Sequence, residues 1–261
     1  MAAIELESDG SKPFRVHLTG FGPFRDIAVN PSWLAVKPLD GEVLSEPPPP
    51  LRTQSAVASP STETADRGIK LRYRPVHLST SLLPVEYSAV SDLAPKLQTD
   101  GEEKPDLVIH VGVSAGDSAI RLEQRARKFG YNSPDAAGKL ADAGSEPEGA
   151  GRSDSRRRGF VGKEWEAAPE ELRTRVDGAG VVRWCKSQGV DWVSLSEDAG
   201  LYLCEYSFFA SMATARRLRP DAPTLVQFVH VPSVGNPYTA EELTAALRLI
   251  VWAIAADLPR T

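Results

Sequence analysis

The 261-residue chain is predicted to fold as one domain spanning residues 1–261, a three-layer α/β/α sandwich with a mixed, mostly parallel central sheet. Two observations carry this. Strand-like and helix-like runs alternate along the chain, and the compact solution to that alternation is a sheet with helices on both faces. The run from Leu107 to Val113 is almost continuously apolar, as a strand covered on both faces must be.

The elements follow in order. Phe14 to Thr19 has β character and stops at the turn-rich GFGPF of residues 20–24, whose glycines and proline end a strand. Asn30-Pro31 opens a short helix around Trp33 to Val36, with Asn30 as cap and Pro31 at the first helical position. Residues 40–68 are rich in Pro, Ser, Thr and Glu and read as a flexible surface loop. A strand is expected near Leu71 to Val76, and a helix near Val85 to Leu97, where Val85, Ala89, Leu93 and Leu97 repeat every fourth residue. After the strand Leu107 to Val113, residues 112–116 form a turn. Residues 139–158, rich in Gly, Ala, Ser, Asp and Arg, read as a second flexible loop. Within it the cluster Arg156-Arg157-Arg158 reads as a solvated loop.

A helix near Val176 to Gln188 carries Cys185, a strand runs from Asp191 to Leu195, and a helix carries Cys204 on to about Arg217. Leu225 to Val231 is a further strand. The last helix begins at the capping box Thr239-Ala-Glu-Glu242 and places Leu243, Leu247, Ile250, Val251 and Ile254 on one face. In such folds ligands bind beyond the carboxyl ends of the strands.

Composition narrows the function. The chain is 41% hydrophobic and 25% charged with a net charge of −5, which argues against a general nucleic-acid binder, because phosphate contacts demand concentrated positive charge. Two cysteines build no disulfide framework. With no signal-like segment and no apolar run of about 18 residues, the expectation is a cytoplasmic protein without membrane partners.

Cys204 stands between a strand and a helix, where an exposed turn and the positive helix end make a thiolate reactive. Cys185, in a helix interior, reads as a small buried hydrophobe. Of four histidines, His17 and His110 lie within apolar strands and read as hydrogen-bonded core residues. His77 has no motif around it. His230 ends the strand LVQFVHVP, from which its ring can project at the edge that presents Cys204. A cysteine hydrolase also needs a group that orients the imidazole. Glu123 follows a strand and is flanked by Ile120 and Leu122, so it either points inward to that role or forms a salt bridge with Arg125 or Arg127.

Four separated blocks then match one family. GFGPF with Asn30-Pro31-Ser32-Trp33, HVGVSAG at 110–116 leading to Glu123, EDAGLYLCEY at 197–206, and FVHVP at 228–232 resemble type I pyroglutamyl peptidases. LPVEYSAV at 83–90 and the tail VGNPYTAEELTAALRLIV resemble the eukaryotic branch. The resemblance implies a cysteine exopeptidase that hydrolyses the amide bond after an N-terminal pyroglutamyl residue by way of a thioester, with Glu123, Cys204 and His230 as catalytic residues and no metal or cofactor. It also implies that Phe21 and Phe24 wall the lactam pocket, with Tyr202 and Leu203 beside the nucleophile. Backbone near Val113 then reads the lactam edge, and Asn30 steadies the loop. Two departures stand out. Many bacterial members carry an arginine downstream of the glutamate, in ARIPDNEG, where this chain reads FGYNSPDAAGK at 129–139. The long loops at 40–68 and 139–158 exceed the bacterial pattern, which suggests a monomer or weak homo-oligomer. The alternatives left open are a catalytically silent lactam-binding homologue and an amidase for another cyclic amide.

Overall fold

Among the described residues the apolar runs assemble into one seven-stranded sheet. The computed structural model describes residues 7–8, 12–24, 27–51, 72–99, 104–144 and 157–256. Its strands are β1 (Glu7–Ser8), β2 (Phe14–Phe21), β3 (Val43–Leu44), β4 (Arg72–Tyr73), β5 (Val76–Leu83), β6 (Leu107–Val113), β7 (Ile120–Glu123), β8 (Arg125–Arg127), β9 (Glu171–Arg173), β10 (Val193–Ser196) and β11 (Leu225–Val231). Its helices are α1 (Pro31–Val36), α2 (Tyr87–Thr99), α3 (Gly178–Ser187), α4 (Leu203–Leu218) and α5 (Ala240–Ala255). Pairs β2–β5, β2–β6, β6–β11 and β7–β10 are parallel, whereas β3–β5 and β7–β11 are antiparallel. The strands of the sheet lie in the order β10-β7-β11-β6-β2-β5-β3, and the sheet is therefore mixed and mostly parallel, as expected. Two ribbons, β1–β4 and β8–β9, stand apart from it.

Strand residues alternate between two cores. Val16, Leu18, Ile109, Val111, Ile120, Leu122, Val229 and Val231 pack against α1, α3 and α5. Val226 and Phe228 join α2 and α4 on the other face. By the same alternation Gly112, Arg121, Glu123 and His230 belong to the α4 face. Helix α5 is closed by the expected capping box, with Thr239 N donating to Glu242 Oε2 at 2.8 Å and Glu242 N to Thr239 Oγ1 at 3.2 Å. Helix α1 lies directly on β2, because a methyl at Gly20 would come within 2.8 Å of Trp33 Cα. Among the described residues no helix is long and apolar enough to cross a membrane.

Several sequence expectations shift. Of the strand expected near Leu71 to Val76, Arg72 and Tyr73 pair with β1, while the main strand starts at Val76 and runs on to Leu83. Helix α2 begins at Tyr87 and α3 at Gly178, where the Asp177 carboxylate caps Gly180 N at 3.0 Å. The turn expected at 112–116 begins only at Ser114, because Gly112 and Val113 complete β6. Strands β7, β8 and β9 were not foreseen. In the stretch 40–68, residues 43–44 form β3, while Leu44 and Leu51 are buried; residues 52–68 lie outside the described residues. At 139–158, Ala143 bridges Arg158, and residues 145–156 lie outside the described residues.

Candidate active site

Cys204 is the second residue of α4. The chain leaves β10 at Ser196 and turns at Gly200, whose φ of 75° suits a residue without Cβ. Tyr202 then serves as N-cap without a side-chain cap bond. This sets the Cys204 thiol in the first helical turn, where free amides and the positive helix end favour an anion. The sulfur rests over the end of β6 at a position only glycine can occupy: a methyl at residue 112 would lie 2.8 Å from Cys204 Sγ and 2.8 Å from Phe228 Cζ.

His230 is the penultimate residue of β11 and lies opposite Gly112 in the parallel register. Its ring is almost fully buried, and Nδ1 lies 2.7 Å from Oε1 of Glu123. A carboxylate only accepts, so Nδ1 carries the hydrogen and Nε2 is left for the sulfur. Burial alone would lower the His230 pKa, but the charge of Cys204 and a hydrogen bond to it, reinforced by the bond and charge of Glu123, raise it to about 9.

Glu123 ends β7 and is 0% exposed. Its Oε2 is buried without a partner among the described residues, so its stabilisation rests on the imidazole. The carboxylate points inward, toward His230, and not to Arg125 or Arg127. Arg125 instead bonds Glu171 at 2.6 Å and the Glu197 carbonyl at 2.7 Å. Arg127 donates from Nε and Nη2 to both oxygens of Glu205 at 2.7 Å.

The remaining sequence candidates fall into two groups. Phe24 and Tyr202 pack together with ring centroids 5.4 Å apart, and both border the core cluster that contains Phe21 and Leu203. Phe21 and Leu203 are themselves buried, at 3% and 1% exposure. Asn30 is also buried: its Oδ1 accepts from Ser32 N at 3.1 Å, and its Nδ2 donates to the Gly22 carbonyl at 3.0 Å. That pair ties GFGPF to the start of α1. Val113, half-buried, ends β6 beside Val231.

Three features escaped the sequence reading. Gly112 seats the sulfur. Tyr87 meets Tyr202 edge-on at 6.3 Å. Glu205, next to the cysteine and 1% exposed, accepts three bonds from Arg127, one of them from its backbone N at 2.8 Å. This clamp fastens β8 to the first turn of α4. The segment 129–139, which lacks the bacterial arginine, is held through Asp135, which accepts from Tyr87 N at 3.1 Å, and through the Pro134 carbonyl, which accepts from the Tyr202 hydroxyl at 3.0 Å. His17 and His110 are hydrogen-bonded residues of the sheet. His110 lies between Thr19 and Ser211 at 2.7 Å each, and burial pushes its pKa down to about 3.

A thiol at a helix start, with an imidazole and a buried carboxylate near the carboxyl edge of a mostly parallel sheet, defines a hydrolase of the cysteine peptidase class on an α/β fold. A family model described as pyroglutamyl peptidase matches residues 50–251. The chain belongs to the pyroglutamyl peptidase family. Pyroglutamyl-peptidase 1 of Rattus norvegicus is 30% identical over 239 residues, covering 90% of this chain and 87% of the relative. The protein of the same description from Homo sapiens is 29% identical over 239 residues, with the same coverage. Among solved structures, pyroglutamyl peptidase I of Bacillus amyloliquefaciens superimposes with a TM-score of 0.65 at 22% identity, covering 93% of this chain and 97% of that one. A mutant pyrrolidone carboxyl peptidase from Pyrococcus furiosus superimposes with a TM-score of 0.68 at 21% identity, covering 94% and 100%. At those identities the solved structures speak for the fold alone.

Proposed function

We propose that the protein is a cysteine exopeptidase that removes an N-terminal pyroglutamyl residue from peptides, acting as one peptidase domain in the cytoplasm, as a monomer or weak homo-oligomer. The observation that carries this reading is the convergence of Cys204 Sγ, His230 and Glu123, with the imidazole 2.7 Å from the carboxylate. The sulfur attacks the carbonyl that follows the lactam ring, and the amide of Cys204, in the first turn of α4, donates to the oxyanion. The His230 imidazolium then protonates the departing amine, which leaves a thioester on Cys204. Water, deprotonated by the same imidazole, hydrolyses the thioester and restores the thiol pair. Glu123 holds the ring and stabilises its positive charge.

Pyroglutamate is neutral and has one ring N–H and one ring carbonyl. Phe21, Phe24, Tyr202 and Leu203 supply apolar walls, backbone near Val113 reads the lactam edge, and Asn30 fixes the loop that carries Phe24. A ring lacking the carbonyl leaves a buried donor unpaired, at a cost of about 1 to 3 kcal/mol. Hydrolysis of matched pyroglutamyl, prolyl and glutamyl amides tests the reading. The pyroglutamyl amide is the expected substrate, with the prolyl amide at least roughly ten-fold slower. No turnover of the pyroglutamyl amide would overturn it.

Two further results are expected. The raised pKa of His230 extends its protonated form from the ordinary 6.5 up to about 9. Since the departing amine needs that proton, kcat/KM should decline as pH rises through about 9, as a pH–rate profile would show. Gly112→Ala places a methyl 2.8 Å from Sγ. Displacing the nucleophile by a fraction of an ångström to one ångström should cost about a hundred-fold in kcat/KM. A wild-type rate in that variant would mean that the sulfur does not react from this seat.

A further inference from the structure

Arg121 stands on β7 two residues before Glu123 and takes no part in the reaction as derived. The antiparallel register sets it directly opposite His230, and residues directly opposed in an antiparallel pair project from the same face. On the other side of His230 the parallel register sets Gly112, with Cys204 Sγ over it. At one level of the sheet edge the order is therefore Cys204 over β6, His230 on β11 and Arg121 on β7, all on the α4 face. Phe21 and the Phe24–Tyr202 pair lie toward the opposite side, where β2 adjoins β6.

That order gives the substrate a direction. The lactam occupies the aromatic side and the imidazole protonates the amine, so the departing peptide extends past His230 toward β7. The cation waiting there is only partly committed. Nη2 of Arg121 bonds Asp117 and, at 2.9 Å, the Ser114 hydroxyl. Nε is buried without an acceptor, and no bond is made by Nη1 among the described residues. The side chain remains 29% exposed.

We propose that Arg121 is a specificity-determining residue that receives a carboxylate on the departing part of the substrate, supplied by the free terminus of a pyroglutamyl dipeptide or by an acidic side chain immediately after the pyroglutamyl residue. The inference rests on the pyroglutamyl peptidase reading. Asp117 shares the guanidinium and opposes the incoming anion, so it sets the strength of the preference.

The test compares kcat/KM for pGlu-Ala with pGlu-Ala-NH2, and for pGlu-Glu-NH2 with pGlu-Gln-NH2, in wild type, Arg121→Gln and Asp117→Asn. The first pair reports a terminal carboxylate and the second a side-chain one. In wild type, one of the charged substrates should be favoured over its neutral match roughly ten-fold, the worth of a charge-assisted bond at a half-exposed site. Arg121→Gln should bring that ratio to unity, and Asp117→Asn should raise it. A merely structural role would slow charged and neutral substrates alike and leave the ratio standing. A ratio near unity for both pairs in wild type, or one that survives Arg121→Gln, overturns the proposal. Failure of wild type to hydrolyse any of the four overturns the peptidase reading beneath it.

Discussion

Cys204→Ser is expected to lower kcat/KM for a pyroglutamyl amide by at least about ten-thousand-fold, with the thermal midpoint close to that of the wild type. The hydroxyl fits where the sulfur sits, so the seat over Gly112 stays filled and the packing of α4 is undisturbed. What disappears is the sulfur whose charge and hydrogen bond support the His230 imidazolium. Burial acts to lower the pKa of His230, and the charge and hydrogen bond of Cys204 head the interactions that raise it to about 9. With serine those two supports are lost, and the imidazole meets a neutral hydroxyl instead of a sulfur anion. Alkylation gives a second readout. Iodoacetamide at neutral pH should modify Cys204 and spare Cys185, which is fully buried and whose thiol is pushed up to about 12 by that burial. A serine variant that kept its turnover would remove Cys204 from the chemistry.

The parts of this molecule that could be read from the sequence are those written in local pattern. β6 and β11 are largely apolar runs and fall at Leu107–Val113 and Leu225–Val231 as expected. Helix α5 declared itself through its capping box and apolar stripe, and α1 through Asn30-Pro31. β7, β8 and β9 did not. Their sequences IRLE, RAR and ELR are short and charged, and they become strands because their partners are already in place. The ambiguity at Glu123 has the same origin. In sequence its nearest cations are Arg125 and Arg127, yet β8 turns away from the main sheet and gives both arginines other carboxylates. Only the antiparallel return of β7 beside β11 brings Glu123 to His230. The seat at Gly112 was equally silent, because a glycine near a strand end reads as a turn until the neighbouring helix start is known.

The carboxylate also provides the more searching test of the site. Glu123→Gln keeps the shape of a side chain that is 0% exposed, so packing is preserved while the charge is removed. If the amide oxygen faces Nδ1–H, the ring keeps its orientation but loses the anion that stabilises the imidazolium. If the amide nitrogen faces Nδ1, the ring must accept there and carry its hydrogen on Nε2, and it cannot then take the thiol proton. Either arrangement should reduce kcat/KM by about a thousand-fold or more. Oε2 has no partner among the described residues, so no neighbouring bond there compensates for the lost charge. The titration of His230, followed by the ring proton resonances, should shift down from about 9, because Glu123 contributes both a hydrogen bond and a charge to that value. A purely structural carboxylate would instead lower the thermal midpoint and leave the His230 titration of the folded fraction unchanged. Near-normal turnover in Glu123→Gln would show that the imidazole is oriented by other contacts, and that the 2.7 Å bond is a feature of packing alone.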